Sequence, residues 1–165
     1  MIIVLFGQPC SGKTTISKRI NHWLRSQPGK CRIHFMDGDS FRRIFTNKDY
    51  SRDGRMRNLN LASHIAHYEH SLNDVVLMSF IYPYKESRSF LDDLTDHDIM
   101  WVHLHYDTEN DQRGRENFHV TDFDIPETHE IDVSIDTTLK SEDECFEEIK
   151  NTFMTKYRKF YNQLQ

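Results

Sequence analysis

Apolar residues along the chain fall into short unbroken runs, separated by stretches in which they recur at helical spacing. Residues 1–6 form an apolar run of strand length, and Ile16, Ile20, Trp23 and Leu24 then share one face of a helix. A turn at Ser26-Gln27-Pro28-Gly29-Lys30 leads to a second strand over residues 31–36. Leu59, Leu61, Ile65, Ala66 and Tyr68 carry a helix to about Leu72, with Asn73-Asp74 as its break. Residues 75–81 read as a central parallel strand covered on both faces, ended by Pro83. A short helix over 85–94 follows, then strands over 99–106 and 131–135. Ser141 with Glu144 forms a capping box, opening a final helix whose Ile149, Phe153, Tyr157, Phe160 and Leu164 make a stripe that belongs to the core. Strands alternating with helices, without internal repeats or low-complexity tracts, predict one α/β domain over residues 1–165, a three-layer sandwich with a mostly parallel sheet flanked by helices.

Between the first strand and the first helix lies Gly7-Gln8-Pro9-Cys10-Ser11-Gly12-Lys13-Thr14-Thr15, which matches the phosphate-loop pattern G-x-x-x-x-G-K-[ST] at every defined position. In that context backbone N–H groups wrap a polyphosphate and the helix N-terminus adds its positive end. Lys13 would reach the outer phosphates and the Thr14 hydroxyl would hold Mg²⁺, so the fold becomes that of a P-loop NTPase and Gly7, Cys10, Ser11, Gly12, Lys13, Thr14 and Thr15 become candidate ATP ligands. The polar stretch 111–123 has no clear period; it reads either as a lid over bound nucleotide, at about 111–124, or as a long surface connection.

Composition changes this picture little. A formal charge of −5 in 165 residues argues against a general grip on polymeric nucleic acid. Three cysteines, Cys10, Cys31 and Cys145, suit reduced thiols and a cytoplasmic location. The apolar N-terminus is too short for a membrane span or a signal h-region. Cys10 reads either as a thiol activated by the helix N-terminus or as a small side chain that fits the loop. His64, His67 and His70 step by three along a helix and drift around it, a surface pattern rather than a metal set; His103 and His105 share one face of a strand.

Charge is distributed unevenly, however. Asp37-Gly38-Asp39 ends the second strand with carboxylates at i and i+2, expected on one side of an extended segment, where they can hold Mg²⁺ or take a proton from an attacking hydroxyl. Arg42, Arg43, Lys48, Arg52, Arg55 and Arg57 follow within residues 40–60, which suits an anionic ligand. Taken singly, Arg43, Lys48, Arg52 and Arg57 read as a solvated helix face.

This order of motifs resembles the adenylylsulfate kinases, P-loop kinases that move the ATP γ-phosphate to the ribose 3′-hydroxyl of adenosine 5′-phosphosulfate. The resemblance rests on the phosphate loop, on Asp37-Gly38-Asp39 with Arg42, on Tyr50-Ser51 where the family has Phe-Ser, on Arg55 and Asn58 in the spacing R-x-x-N, and on residues 79–88, close to S-F-I-S-P-Y-x-x-x-R. It implies Lys13, Asp39 and Asp37 as catalytic groups, Thr14 and Asp37 at Mg²⁺, and Arg113 or Arg115 closing on ATP. It also implies an acceptor site of Asp39, Arg42, Tyr50, Arg55, Asn58, Ser79, Phe80 and Ile81, with Phe123 as a second aromatic wall. ATP and Mg²⁺ are then the cofactors and a small-molecule nucleotide the partner, with no membrane; a homodimer is left open. Two departures bear on the acceptor: Tyr82 replaces a serine of the family pattern, and Glu116 stands where the family's lid has a lysine. A kinase acting on another nucleotide-linked or small-molecule hydroxyl is the alternative within this chemistry. A nucleotide-sensing switch is the alternative outside it, weakened because Asn47-Lys48-Asp49 misses the N-K-x-D spacing.

Overall fold

The computed structural model describes residues 1–107 and 119–163. Five strands, β1 (Ile2–Phe6), β2 (Ile33–Asp37), β3 (Val75–Ser79), β4 (Ile99–His105) and β5 (Val133–Asp136), form one sheet in the order β2-β3-β1-β4-β5. Every pairing is parallel. Among the described residues six α-helices connect or flank them: α1 (Lys13–Arg25), α2 (Gly38–Ile44), α3 (Arg52–His70), α4 (Lys85–Leu94), α5 (Glu142–Lys156) and α6 (Arg158–Gln163).

Strand alternation divides the interior into two cores. Ile3, Leu5, Leu77, Val102 and Leu104 face α1 and α5, meeting Ile16, Ile20, Leu24, Phe146, Ile149 and Phe153. Ile2, Val4, Phe6, Val76, Met78 and Trp101 face the other way, onto Phe41 of α2, Leu59, Ala62 and Ala66 of α3 and Leu91 of α4. Each layer buries its apolar stripe against one face of the sheet, as the three-layer expectation requires. Because all strands are parallel, their C-terminal ends lie together, and the loops leaving β1, β2 and β3 converge there.

Several boundaries differ from expectation. β3 stops at Ser79, so Phe80 and Ile81 belong to the loop rather than the strand. In α3 the inward face is Leu59, Ala62, Ser63 and Ala66; Leu61 and Tyr68 are therefore carried around to solvent. The terminal helix breaks at Tyr157, whose hydroxyl donates to the Ile99 carbonyl at 3.0 Å, so the long stripe is divided between α5 and α6. Leu164 lies outside the described residues. The Ser141–Glu144 capping box is formed in both directions.

Candidate active site

Gly7 leaves β1 with φ 140, and a Cβ there would stand 1.9 Å from the Leu104 carbonyl oxygen, so only glycine lets the loop pass this close to β4. Gly12 caps α1 at φ 89 with no side-chain hydrogen bond, and the first turn of α1 holds no acidic residue. The N–H groups of that turn are thus left for an anion, which the helix dipole also favours. Lys13 is buried, its ammonium donating to the carbonyls of Gly7 at 3.0 Å and Gln8 at 2.6 Å. Burial lowers its pKa to about 8, outweighing the nearby charges of Asp39, Cys10 and Asp37. A buried cation with this little counter-charge is poised for a phosphate.

The Thr14 hydroxyl donates to Asp37 Oδ2 at 2.8 Å, while Asp37 Oδ1 caps α2 by accepting from the Ser40 amide at 3.1 Å. Asp37 therefore ends β2 and Asp39 sits in the first turn of α2, which corrects the expectation that both carboxylates lie on one extended segment. The chain turns helical at Gly38 because the Asp37 cap satisfies one of the free amides of the first turn. Thr14 and Asp37 present hard oxygen donors side by side. Among the described residues no cluster of three or more His, Cys, Asp or Glu could hold a metal by itself, but Mg²⁺ at phosphates needs only one or two protein oxygens, so this pair fits it.

A cleft of about 690 Å³ joins these groups to the expected acceptor residues: Cys10, Gly12, Lys13, Thr14, Thr15, Asp37, Asp39, Arg42, Tyr50, Arg55, Asn58, Ser79, Phe80 and Ile81 all line it. The Arg42 guanidinium lies 4.5 Å above the Tyr50 ring and donates to the Asp49 carbonyl at 3.0 Å. Burial pushes its pKa down. Arg55 Nε and Ser79 Oγ are buried without a hydrogen-bond partner among the described residues, polar capacity held in reserve at the cleft. Ser11 is buried beneath the loop. The cysteine at position 10 is exposed with φ 63.

Other basic residues stay apart from the cleft. Arg43 turns to Ser40, Arg57 to Asp49, and Arg52 to Glu86 at 2.9 Å, in keeping with a solvated face. Phe123 does not line the cleft as the expected second wall; its ring stacks on His103 at 6.1 Å, tucked against the α3–α4 core. Tyr82 also points inward, with φ 41 and its hydroxyl 2.9 Å from Ser63, so the substituted serine's place is filled by a core side chain. Arg113 and Arg115 fall outside the described residues, as does the expected lid up to residue 118. His103 is buried beside His105, Arg88 and Lys13, and burial followed by those charges lowers its pKa to about 4.

Gly38 also lines the cleft, and Pro9, Leu59, Pro83 and Val120 complete the lining without having been expected there as site residues. Pro83 and Leu59 lie within or beside motifs, whereas nothing in the aperiodic stretch around Val120 marks it. Among the described residues no helix is long and apolar enough to cross a membrane.

A probable adenylyl-sulfate kinase of Aeropyrum pernix is 32% identical over 92 residues, covering 55% of this chain and 49% of the relative. The chain thus spans about half the length of that curated relative. The Mycobacterium tuberculosis APS kinase, solved in complex with AMPPNP and APS, superposes with a TM-score of 0.77 at 19% identity over 93% of this chain and 97% of that one. A gluconokinase from Sinorhizobium meliloti gives 0.71 at 17% identity over 98% and 95%, so the likeness of folds extends to kinases of other acceptors. The sequence model of the adenylylsulphate kinase family matches residues 1–118 of the 165, and the chain belongs to that family.

Proposed function

We propose that this chain is an ATP- and Mg²⁺-dependent kinase that transfers the γ-phosphoryl group of ATP to the ribose 3′-hydroxyl of adenosine 5′-phosphosulfate. The observation that carries this reading is the single cleft in which phosphate-loop groups and Asp39, Arg42, Tyr50, Arg55 and Asn58 face one another. The complex of the M. tuberculosis relative with AMPPNP and APS supports it.

In the proposed reaction Lys13 leaves the Gly7 and Gln8 carbonyls for the outer phosphates, and the free amides at the start of α1 hold the rest of the polyphosphate. Thr14 and Asp37 would hold Mg²⁺, which would neutralise charge on the transferring group. Asp39 accepts the proton of the acceptor hydroxyl as the new P–O bond forms and the bond to the ADP oxygen breaks. Tyr50 and Phe80 offer flat apolar surface to a base, and Arg42, Arg55 and Asn58 offer donors to the anionic group. Arg113 and Arg115 keep the role on ATP that the family resemblance implies. Most of the rate comes from positioning and charge neutralisation.

Screening acceptors with ATP and Mg²⁺, adenosine 5′-phosphosulfate first, tests the reading: the 3′-phosphorylated product must form. Asp39→Asn should lower kcat by roughly 10²-fold or more while ATP affinity changes little. Near-normal turnover in that variant removes the assignment of Asp39. A second reading, a kinase of another small hydroxyl compound, is favoured by one observation: Phe123 packs on His103 instead of lining the cleft as the expected second aromatic wall. ADP release with a sugar or sugar acid, but not with adenosine 5′-phosphosulfate, would select it.

A further inference from the structure

We infer that Gln8 is a positioning residue that sets the acceptor arginine Arg55 through the segment from Val120 to Asp124; this rests on the reading of Arg55 as an acceptor ligand. The phosphate-loop pattern asks nothing of position 8, yet the Gln8 side chain is fully engaged. Its Nε2 donates to the Val120 carbonyl at 3.0 Å and its Oε1 accepts from the Val120 amide at 2.9 Å. One carboxamide thus pairs both ways with the backbone of one residue, 112 residues away in sequence. The Gln8 carbonyl meanwhile receives the Lys13 ammonium at 2.6 Å, so a single residue touches both the phosphate-binding lysine and the far segment.

Val120 is buried and lines the cleft. Two residues on, Asp122 stands 3.7 Å from the guanidinium of Arg55 and 3.7 Å from that of Arg52. Two residues further, Asp124 is pinned: its amide donates to the Pro83 carbonyl at 2.7 Å, its carboxylate accepts from the Lys85 amide at 2.9 Å, and its carbonyl accepts from Arg88 at 3.1 Å. The segment that presents Asp122 is therefore anchored at both ends, by Gln8 at one and by the loop after β3 at the other. Removing the Gln8 side chain takes away both hydrogen bonds at Val120 and leaves those that pin Asp124.

The chemistry selects glutamine. Glutamate keeps the acceptor but sets a carboxylate against the Val120 carbonyl, and leucine leaves a buried amide and carbonyl unpaired. Arg55 itself is only one-fifth exposed, with Nε unpartnered, so its orientation depends on what holds its other nitrogens.

Gln8→Leu and Gln8→Glu in the whole chain test the inference with three readouts. Amide exchange at residues 119–124 should speed up roughly tenfold in Gln8→Leu, as lost hydrogen bonds predict. Labelling of Arg55 by phenylglyoxal, mapped by mass spectrometry, should accelerate several-fold. The KM for adenosine 5′-phosphosulfate should rise roughly tenfold, with the KM for ATP within about twofold and kcat less affected. Gln8→Glu should behave like Gln8→Leu, because the donor is lost. Unchanged exchange overturns the contact, and faster exchange with unchanged Arg55 labelling overturns the link to Arg55. Parallel loss of melting temperature, kcat and both KM values overturns positioning in favour of general destabilisation. If the wild-type chain does not phosphorylate adenosine 5′-phosphosulfate, the proposed function fails, yet exchange and Arg55 labelling still decide this inference.

Discussion

Raising the pH from 7 to 9 should weaken ATP binding about tenfold, because burial beside the phosphate loop holds Lys13 at a pKa of about 8. Burial is the cause: the ammonium has lost water and gained mainly carbonyl dipoles, with Asp39 and Asp37 only partly compensating. At pH 7 the free protein therefore carries Lys13 mostly charged, and at pH 9 mostly neutral. A bound polyphosphate places negative charge against the same nitrogen and returns its pKa toward the ordinary lysine range. Binding must then take up a proton, about one-tenth on average at pH 7 and about nine-tenths at pH 9. The tenfold loss corresponds to about 1.4 kcal/mol. Calorimetry of a non-hydrolysable ATP analogue at fixed Mg²⁺, in buffers of different ionisation enthalpy, measures both the affinity and the proton count. Lys13→Arg keeps its charge throughout this range, so its affinity, whatever its absolute value, should vary little between pH 7 and 9. A flat wild-type profile, or an equal slope in Lys13→Arg, would refute the argument.

Two further outcomes follow from buried groups elsewhere. Folding holds His103 at a pKa of about 4, below the 6.5 of an unperturbed histidine, so the unfolded chain binds a proton that the folded one refuses between these values. Stability is complete above about pH 6.5 and declines toward pH 4, by an amount on the order of 3 kcal/mol; urea titrations across this range should show the decline, and His103→Phe should lessen it. Gly7→Ala should cost about 3 kcal/mol or more, since its Cβ would stand 1.9 Å from the Leu104 carbonyl oxygen; a melting temperature equal to the wild type's would contradict that close approach.

Much of the architecture was legible because its signals are local. Residues 85–94 carry a helical pattern, and α4 spans Lys85–Leu94. The Ser141–Glu144 box names its own partners at three-residue spacing, and the box is made. Arg42, Arg55 and Asn58 were expected at the acceptor through a family resemblance, and one cleft gathers them. Where reading by period failed, a competing contact prevailed: Asp37 capped α2, so that Asp39 fell in a helical turn instead of an extended segment, and Tyr157 left its helix to reach Ile99 and Asp132.

By itself, then, the sequence determined the strand–loop–helix around Lys13, the alternation that builds a parallel sheet, and the residue types at the cleft, since apolar period, glycine placement and motif spacing are properties of neighbours along the chain. Only the tertiary structure decided that Lys13 is stripped of water, that Tyr82 and Phe123 pack inward, and that Gln8 closes on Val120. Desolvation and long-range hydrogen bonds depend on which segments meet across the fold, and that meeting is written in no single stretch of residues.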